Sequence, residues 1–287
     1  MNRHTRRAAL GTAVVLALGL TACSGVDSGH SGLIVGSDLT YPPYAYFQGK
    51  TPEGFDPDFV RAVGEHLGEK VTVSDTRFEQ LIPNLKSGHI DIIASALYIT
   101  PERAEQVDFI PYFSTGNSIV VPEDAEPLKT VADLCGRVVA AIKGGDIVDQ
   151  LRNDASQKCR DAGRSGIDVR EFATDPEGTQ AMISGQVDAQ ATDSAVATTL
   201  GEKTGARVKI TSDELLYPIP VGIAVWKEDT SGLRQRLEGA MADMKADGTY
   251  DRLLSEYNLA PVDQRQVDSI LGNSDGNSDG NSDTEGE

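Results

Sequence analysis

The chain has 287 residues, with 26 Lys and Arg against 44 Asp and Glu and a formal net charge of −18. So large an acidic excess argues against recognition of nucleic acid or of an anionic membrane through a basic surface. The length exceeds what one compact core usually holds, so two lobes are expected.

The N-terminal segment carries Arg3, Arg6 and Arg7 and then the apolar run AALGTAVVLALGL from Ala8 to Leu20. That is a basic region followed by an apolar region of secretory-signal length. The sequence that follows, Leu20-Thr21-Ala22-Cys23, resembles the lipobox of bacterial lipoproteins. The resemblance implies that residues 1–22 are a signal peptide and that Cys23 receives diacylglycerol and becomes the mature N-terminus. The competing reading is a transmembrane anchor with an incidental cysteine, but the apolar stretch is shorter than the roughly 18 to 20 residues a span needs. The Arg6-Arg7 pair also permits twin-arginine export. Removal of residues 1–22 leaves 23 basic against 44 acidic residues, a formal −21. With no second apolar run of spanning length, the lipid on Cys23 would be the only membrane attachment, holding the protein on the outer face of the bacterial cell membrane. Residues 23–32 contain the small, polar stretch SGVDSGHS and are expected to form a flexible tether.

Strand-like and helix-like segments then alternate, the signature of an α/β chain. Leu33 to Val35 reads as a first strand. Asp58 to Leu67 reads as a helix with Phe59, Val63 and Leu67 on one face and Gly68 as a stop. Gln80 to Lys86 predicts a short helix ended by Gly88. Ile90 to Ala94 predicts an apolar strand buried on both faces of a parallel sheet. Thr100-Pro101-Glu102 supplies an N-cap, a proline at the first helical position and an acid in the first turn, so a helix starts there with Arg103 in its first turn.

In the second half, Arg137 to Ile142 reads as a strand, and Lys143-Gly144-Gly145-Asp146 leads into a helix carrying Ile147, Val148 and Leu151. A glycine-rich turn into a helix offers backbone N–H groups that suit a carboxylate or phosphate. It is too short for a Walker loop and lacks the Rossmann spacing. Asp146 reads as the N-cap of that helix, and an acid there competes for the same N–H groups. The unit SGHIDIIAS at 87–95 is echoed by SGQVDAQAT at 184–192. The echo places Ser95 and Asp193 near the carboxyl ends of strands in opposite lobes, the edge at which open α/β sheets bind ligands.

With Cys23 assigned to lipid, Cys135 and Cys159 remain in an exported chain, and a structural disulfide is expected. The competing reading, two metal ligands, lacks neighbouring histidines: His30, His66 and His89 form no ligand spacing. No metal and no cofactor is called for. Residues 263–287 are expected to be a disordered acidic tail, because the thrice-repeated GNSD from Gly272 to Asp283 has no apolar residue. A calcium site there would lack the EF-hand spacing.

Six segments, in order, carry a resemblance to a family: GSDLTYPPY (36–44), EGFDPDFVRAVGEHLG (53–68), LIPNLKSGHIDIIAS (81–95), TPERAEQVDFIPYF (100–113), SGQVDAQATD (184–193) and MKADGTYDRLLSEYN (244–258). Together they resemble the solute-binding proteins of polar amino acid ABC importers, with a type II periplasmic-binding-protein fold. The resemblance covers Leu33 to Leu259. It implies two lobes, each a mostly parallel sheet flanked by helices, joined by two crossing strands and closing on a ligand. Lobe 1 would comprise 33–115 and 219–262, and lobe 2 would comprise 116–218. The implied partners are a small polar amino acid or similar zwitterion and an ABC permease, with no nucleic acid and a monomeric state.

By position, Arg103 resembles the arginine that pairs with the ligand α-carboxylate, and Asp193 resembles the aspartate that takes the α-ammonium. A guanidinium fork matches a carboxylate bidentately, and an acid in a closed cleft favours a cation. Without the family, Arg103 reads as a surface helix charge and Asp193 as a turn residue. Tyr41 and Phe78 match positions flanking the ligand side chain, and otherwise read as core aromatics. Asp38 and Ser95 match polar positions at the side-chain end, where an acid suits a lysine, arginine or histidine ligand. Asp38 reads equally well as the cap of a strand-to-helix turn containing TYPPY. Ala96 and Gly145 complete the expected shell.

Two positions depart from the family. Tyr98 stands where Ser or Thr is usual before ITPER, and Gly144-Gly145-Asp146 stands where Gly-Thr-Thr or Gly-Ser-Thr is usual. A tyrosine is larger and an aspartate accepts rather than donates, so an unusual amino acid, a cationic derivative or a cyclic zwitterion fits the altered shell. The expected function is a non-enzymatic, lipid-anchored binder. The alternative is a secreted cyclohexadienyl or arogenate dehydratase-like lyase on the same fold, with Asp146 or Asp38 as its general acid.

Overall fold

The computed structural model describes residues 32–272; the signal segment, Cys23, the tether through Ser31 and the tail beyond Gly272 lie outside the described residues. Strand β1 (Leu33–Ser37), in the main sheet, is followed by a separate small antiparallel sheet of β2 (Thr40–Tyr41), β3 (Ala45–Gln48) and β4 (Thr51–Glu53). The turn at TYPPY therefore leads into a hairpin and not into the expected helix. Its carbonyls start the next element: Pro43 and Tyr44 accept the N–H groups of Phe55 and Asp56 at 3.1 and 2.9 Å. Gly54 sits between them at φ 112, where a Cβ would meet both carbonyl oxygens at 2.6 Å.

Helix α1 (Phe55–Leu67) accordingly starts before the expected Asp58, because Phe55, Asp56 and Pro57 are buried with it. Strand β5 (Val71–Asp75), α2 (Leu81–Lys86), β6 (Ile92–Ile93) and α3 (Pro101–Ala104) follow. The start of α3 is as read from sequence: Thr100 Oγ1 accepts the Arg103 N–H at 3.2 Å, with proline in the first turn.

A long strand, β7 (Val107–Pro122), leads to β8 (Val138–Ile142), α4 (Asp146–Asp149), a π-helical stretch at Gln150–Ala155, and α5 (Ser156–Asp161). Then come β9 (Asp168–Phe172), α6 (Asp175–Ile183), β10 (Ala189–Asp193), α7 (Ser194–Lys203) and β11 (Val208–Ile210). A second long strand, β12 (Leu216–Trp226), precedes α8 (Leu233–Ala246), α9 (Thr249–Glu256) and α10 (Gln264–Leu271).

The main sheet runs β5-β1-β6-β12-β7-β10-β8-β9, with β11 beside β7. Strands β5, β1 and β6 are parallel, as are β10, β8 and β9. Each parallel set is the sheet of one lobe. Between them β7 and β12 lie antiparallel from Val107↔Trp226 to Leu216↔Asn117, so the backbone ladder continues through the crossing. The fold is the two-lobed α/β arrangement with crossing strands.

The sequence echo has a physical counterpart. Asp91 and Asp188 occupy the same place in the two units. Each accepts the N–H near the start of its lobe's first strand, Ile34 or Val138, at 2.7 Å. Each also donates its own N–H back to the carbonyl of that same residue at 2.8 Å. The two lobes are thus built by one local rule.

Cys135 and Cys159 form a disulfide in the second lobe, with a Cα separation of 5.5 Å and Cys159 buried in the apolar cluster around Leu134, Leu151 and Val169. The expectation of a disordered tail from residue 263 is corrected over 264–271. Val267, Ile270 and Leu271 fall on one face of α10 and pack on the cluster containing Phe109 and Ile99. The charged composition of the segment concealed that stripe. Among the described residues no helix is long and apolar enough to cross a membrane.

Candidate functional site

The carboxyl ends of β1 and β6 in one lobe and of β8 and β10 in the other face each other across a cleft. Its wall includes Tyr41, Phe78, Ala96, Tyr98 and Arg103 from the first lobe and Gly145 and Asp146 from the second, together with Asn117, Ile142, Ile147, Ala191 and Thr192. The cavity between them is about 20 Å³, room for roughly one water. A solute larger than water therefore enters only when the lobes part.

Arg103 is one of the links between the lobes. Its guanidinium donates to the backbone carbonyl of Tyr98 at 2.8 Å and, across the cleft, to that of Gly144 at 3.0 Å. It lies 5.6 Å from the Phe78 ring centroid, within cation–π range. Arg103 is 9% exposed, and burial lowers its pKa, an effect opposed chiefly by the Asp146 charge. Gly144 adopts φ 77, and the turn it makes aims its carbonyl at Arg103. At the rim, Lys143 Nζ pairs with Glu79 of the other lobe at 2.6 Å.

Asp193 is fully buried at the end of β10 but does not line the cavity. Its Oδ1 accepts from the Tyr44 hydroxyl and the Ala195 N–H, each at 2.9 Å. Its Oδ2 accepts from the Tyr98 hydroxyl at 2.9 Å and from Thr115 Oγ1 at 2.8 Å. Both lone-pair directions of each oxygen are thereby taken. Burial raises the Asp193 pKa, and the bonds from Thr115, Tyr98, Tyr44 and Ala195 oppose the rise.

Asp38 also lies outside the cavity wall. Oδ1 accepts from the Thr40 N–H at 3.1 Å and the Thr40 hydroxyl at 2.7 Å and pairs with Arg77 at 2.9 Å; Oδ2 accepts from the Phe78 N–H at 2.9 Å. This is the geometry of a turn cap. Ser95 Oγ accepts the Asp38 N–H at 2.9 Å and so ties the ends of β1 and β6 together. Ala96 adopts φ 45, uncommon for a residue with a Cβ. Its N–H is fixed to Asp56 Oδ2 at 3.0 Å. Asp56 is fully buried, also accepts from the Tyr112 hydroxyl, and has its pKa raised by burial to about 7.

Of the ten expected shell residues, seven therefore share one wall, while Asp38, Ser95 and Asp193 stand behind it with their acceptors engaged. Sequence reasoning missed Asn117 and Thr192, which line the same cavity, and the Nδ2 of Asn117 is buried without a hydrogen-bond partner. A signal for Thr192 existed: it is the echo of Ser95 in the repeated unit. Asn117 precedes Ser118 and the apolar run Ile119–Val121 in β7 and pairs in register with Asp193.

A two-lobed α/β protein with a buried arginine and aromatic rings in an inter-lobe cleft has the architecture of the periplasmic-binding-protein class. The model of the bacterial extracellular solute-binding proteins, family 3, matches residues 33–260, and the chain belongs to that family. The L-cystine-binding protein TcyJ of Escherichia coli K12 is 29% identical over 264 residues, 88% of this chain and 95% of that protein. An ancestral arginine-binding protein bound to arginine aligns with TM-score 0.71 and 35% identity, over 79% of this chain and 98% of that one. The ancestral amino acid-binding protein AncCDT-1, a precursor of cyclohexadienyl dehydratase, aligns with TM-score 0.68 and 31% identity, over 79% and 95%.

Proposed function

We propose that the protein is a binding protein, not an enzyme. It captures a polar amino acid or related zwitterion between its lobes and delivers it to an ABC permease. The observation that supports this reading is the inter-lobe bond from Arg103 to Gly144. The guanidinium keeps further N–H groups free of described partners, and among the described residues it is the one arginine lining the cavity. A carboxylate placed there would be gripped from lobe 1 while its other end meets lobe 2, so binding would favour the closed arrangement.

Under this reading lobe 1 is 33–115 with 219–262, and lobe 2 is 116–218. Residues 1–22 are the signal peptide, and the monomeric protein is held at the outer face of the cell membrane by lipid on Cys23. The relatives that bind cystine, arginine or other amino acids support the ligand class.

A thermal-shift panel of the L-amino acids, L-cystine, betaines and cyclic zwitterions tests the proposal, since a ligand at 100 times its Kd adds about 2.7 kcal/mol of stability. A shift with one narrow group supports the receptor. No shift from any of them, combined with turnover of prephenate or arogenate, would replace it with the dehydratase alternative.

A further inference from the structure

We propose that a second groove, outside the cleft and walled by both lobes, binds a small amphiphilic anion: an apolar chain or ring that ends in a carboxylate. The groove encloses about 450 Å³ and shares no wall residue with the inter-lobe cleft. That volume is within the range of small-molecule sites. Helices α6 and α7 follow the parallel strands β9 and β10 directly, so both start at the carboxyl edge of the sheet, beside the cleft, and run away from it. Val196, Leu200, Lys203 and Arg207 succeed one another at intervals of four, three and four, so α7 and the turn after it turn one stripe towards the groove. Ile183 of α6 lies on the same side, and the lobe 1 segment from Leu39 to Phe47 closes the other. Phe47 is 47% exposed, a large ring on the groove with little else to cover it.

The chemistry is graded along the groove. Near the start of the helices the wall includes buried Leu39 and Val196, and the buried carboxyl of Asp175 in the first turn of α6 keeps an anion out of that end. Lys203 and Arg207 stand at the far end, about 15 Å away at 1.5 Å per residue of α7. Lys203 Nζ lies 5.1 Å from the Tyr46 ring centroid, and Arg207 Nε donates to the Thr204 carbonyl at 3.1 Å. Among the described residues neither is paired with a carboxylate within 4.0 Å. In a chain of formal charge −18, the exposed charged groups on this wall are both basic. An apolar trough that opens onto two unpaired cations complements an alkyl or aryl carboxylate, with its body inward and its head at Lys203 and Arg207. An amine of the same shape would meet repulsion there. Because the walls come from both lobes, occupancy favours the lobes held together and strengthens binding in the cleft; this coupling, unlike the site, rests on the receptor reading above.

The test is titration calorimetry of the mature protein with octanoate, and with octylammonium as the control of equal chain length. One octanoate per chain is expected, bound at least about tenfold more tightly than octylammonium. The double variant Lys203→Glu, Arg207→Glu changes two exposed side chains, so the fold should be kept, and octanoate should bind at least about tenfold more weakly. Phe47→Ser should weaken octanoate as well. Saturating octanoate should raise the affinity for the amino acid found in the panel, and that amino acid should raise the affinity for octanoate by the same factor. No binding, several octanoates per chain, equal binding of octylammonium, or full affinity in the double variant each overturns the site. Selective binding that leaves the amino-acid affinity unchanged overturns the coupling. If no amino acid of the panel binds, the receptor reading falls, and the octanoate titration still decides the groove.

Discussion

The Tyr98 hydroxyl donates to Asp193 Oδ2 at 2.9 Å across the cleft. A first-lobe tyrosine thereby holds the second-lobe acid that the sequence reading expected to meet a ligand. Tyr44 does the same to Oδ1. The two lobes are thus fastened at Asp193 by side chains of the protein itself, and the Arg103 bond to Gly144 adds a second fastening.

Removing one donor from a buried carboxylate tests that fastening. Tyr98→Phe keeps the ring and deletes only the hydroxyl, leaving Thr115 alone on Oδ2. The expected loss is about 1.5–3 kcal/mol, the range for hydrogen bonds to charged groups. At roughly 2–4 °C per kcal/mol for a protein of this size, calorimetry should show a Tm lower by several degrees. An unchanged Tm would mean that Asp193 is satisfied without Tyr98.

Arg103 carries the carboxylate end of the proposed site. Arg103→Ala removes the fork, its stacking on Phe78 and its bond across the cleft. Losing one partner of a buried, hydrogen-bonded charge pair costs about 2–5 kcal/mol, so affinity for the amino acid found in the panel should drop by about thirtyfold or more. Arg103→Lys should recover little, because a point charge cannot reproduce two directed bonds. Titration of both variants checks this, and retained affinity in the alanine variant would remove Arg103 from the ligand.

Much of this was legible in the sequence where a local rule acts alone. The Thr100-Pro101 start of α3, the glycine stops at Gly68 and Gly88, and the echo that proved to hold Asp91 and Asp188 in matching roles are all short-range patterns. What escaped depended on partners distant in the chain. The hairpin β2–β4 exists because its carbonyls start α1, and the burial of Phe55 and Asp56 moves that helix start forward. At the site, sequence position brought Arg103, Tyr98 and Asp146 together correctly. It left Asp38 open between a ligand contact and a turn cap, and it could not show that the distant Arg77 and Phe78 would take further acceptors of Asp38, or that two tyrosines would take those of Asp193.

The disulfide invites a stability measurement that is independent of ligand. Cys135 and Cys159 are separated by 24 positions, and closing a loop of that size restricts the unfolded chain by about 3 kcal/mol in the chain-entropy account. The double variant Cys135→Ser, Cys159→Ser should therefore unfold at lower denaturant, with a somewhat larger m-value because its unfolded chain is less constrained, and the wild type under reducing conditions should match it. Because Cys159 lies in the second-lobe core and away from the cavity wall, ligand affinity at temperatures well below Tm should be little changed.

Two fully buried acids set a pH dependence whose sign can be stated. Asp56 and Asp175 each have a folded pKa raised by burial to about 7, against an ordinary value of 3.8. Between those values the folded protein binds the proton more readily than the unfolded chain. Their contribution is therefore full below about pH 4 and is lost as pH rises towards 7. Asp247 acts in the opposite sense at lower pH: the Thr249 N–H and His66 bonds to its carboxylate hold it at about 2, so its contribution fades as pH falls below 3.8. Asp56→Asn retains an oxygen for the Ala96 N–H and an amide able to donate to the Tyr112 oxygen, but it cannot ionise. The variant should consequently lose less stability than the wild type between pH 5 and pH 8, measured as Tm at each pH in the same ionic strength. Parallel curves for the two proteins would show that Asp56 stays ionised in the fold and that Tyr112 and Ala96 stabilise its charge more than burial opposes it.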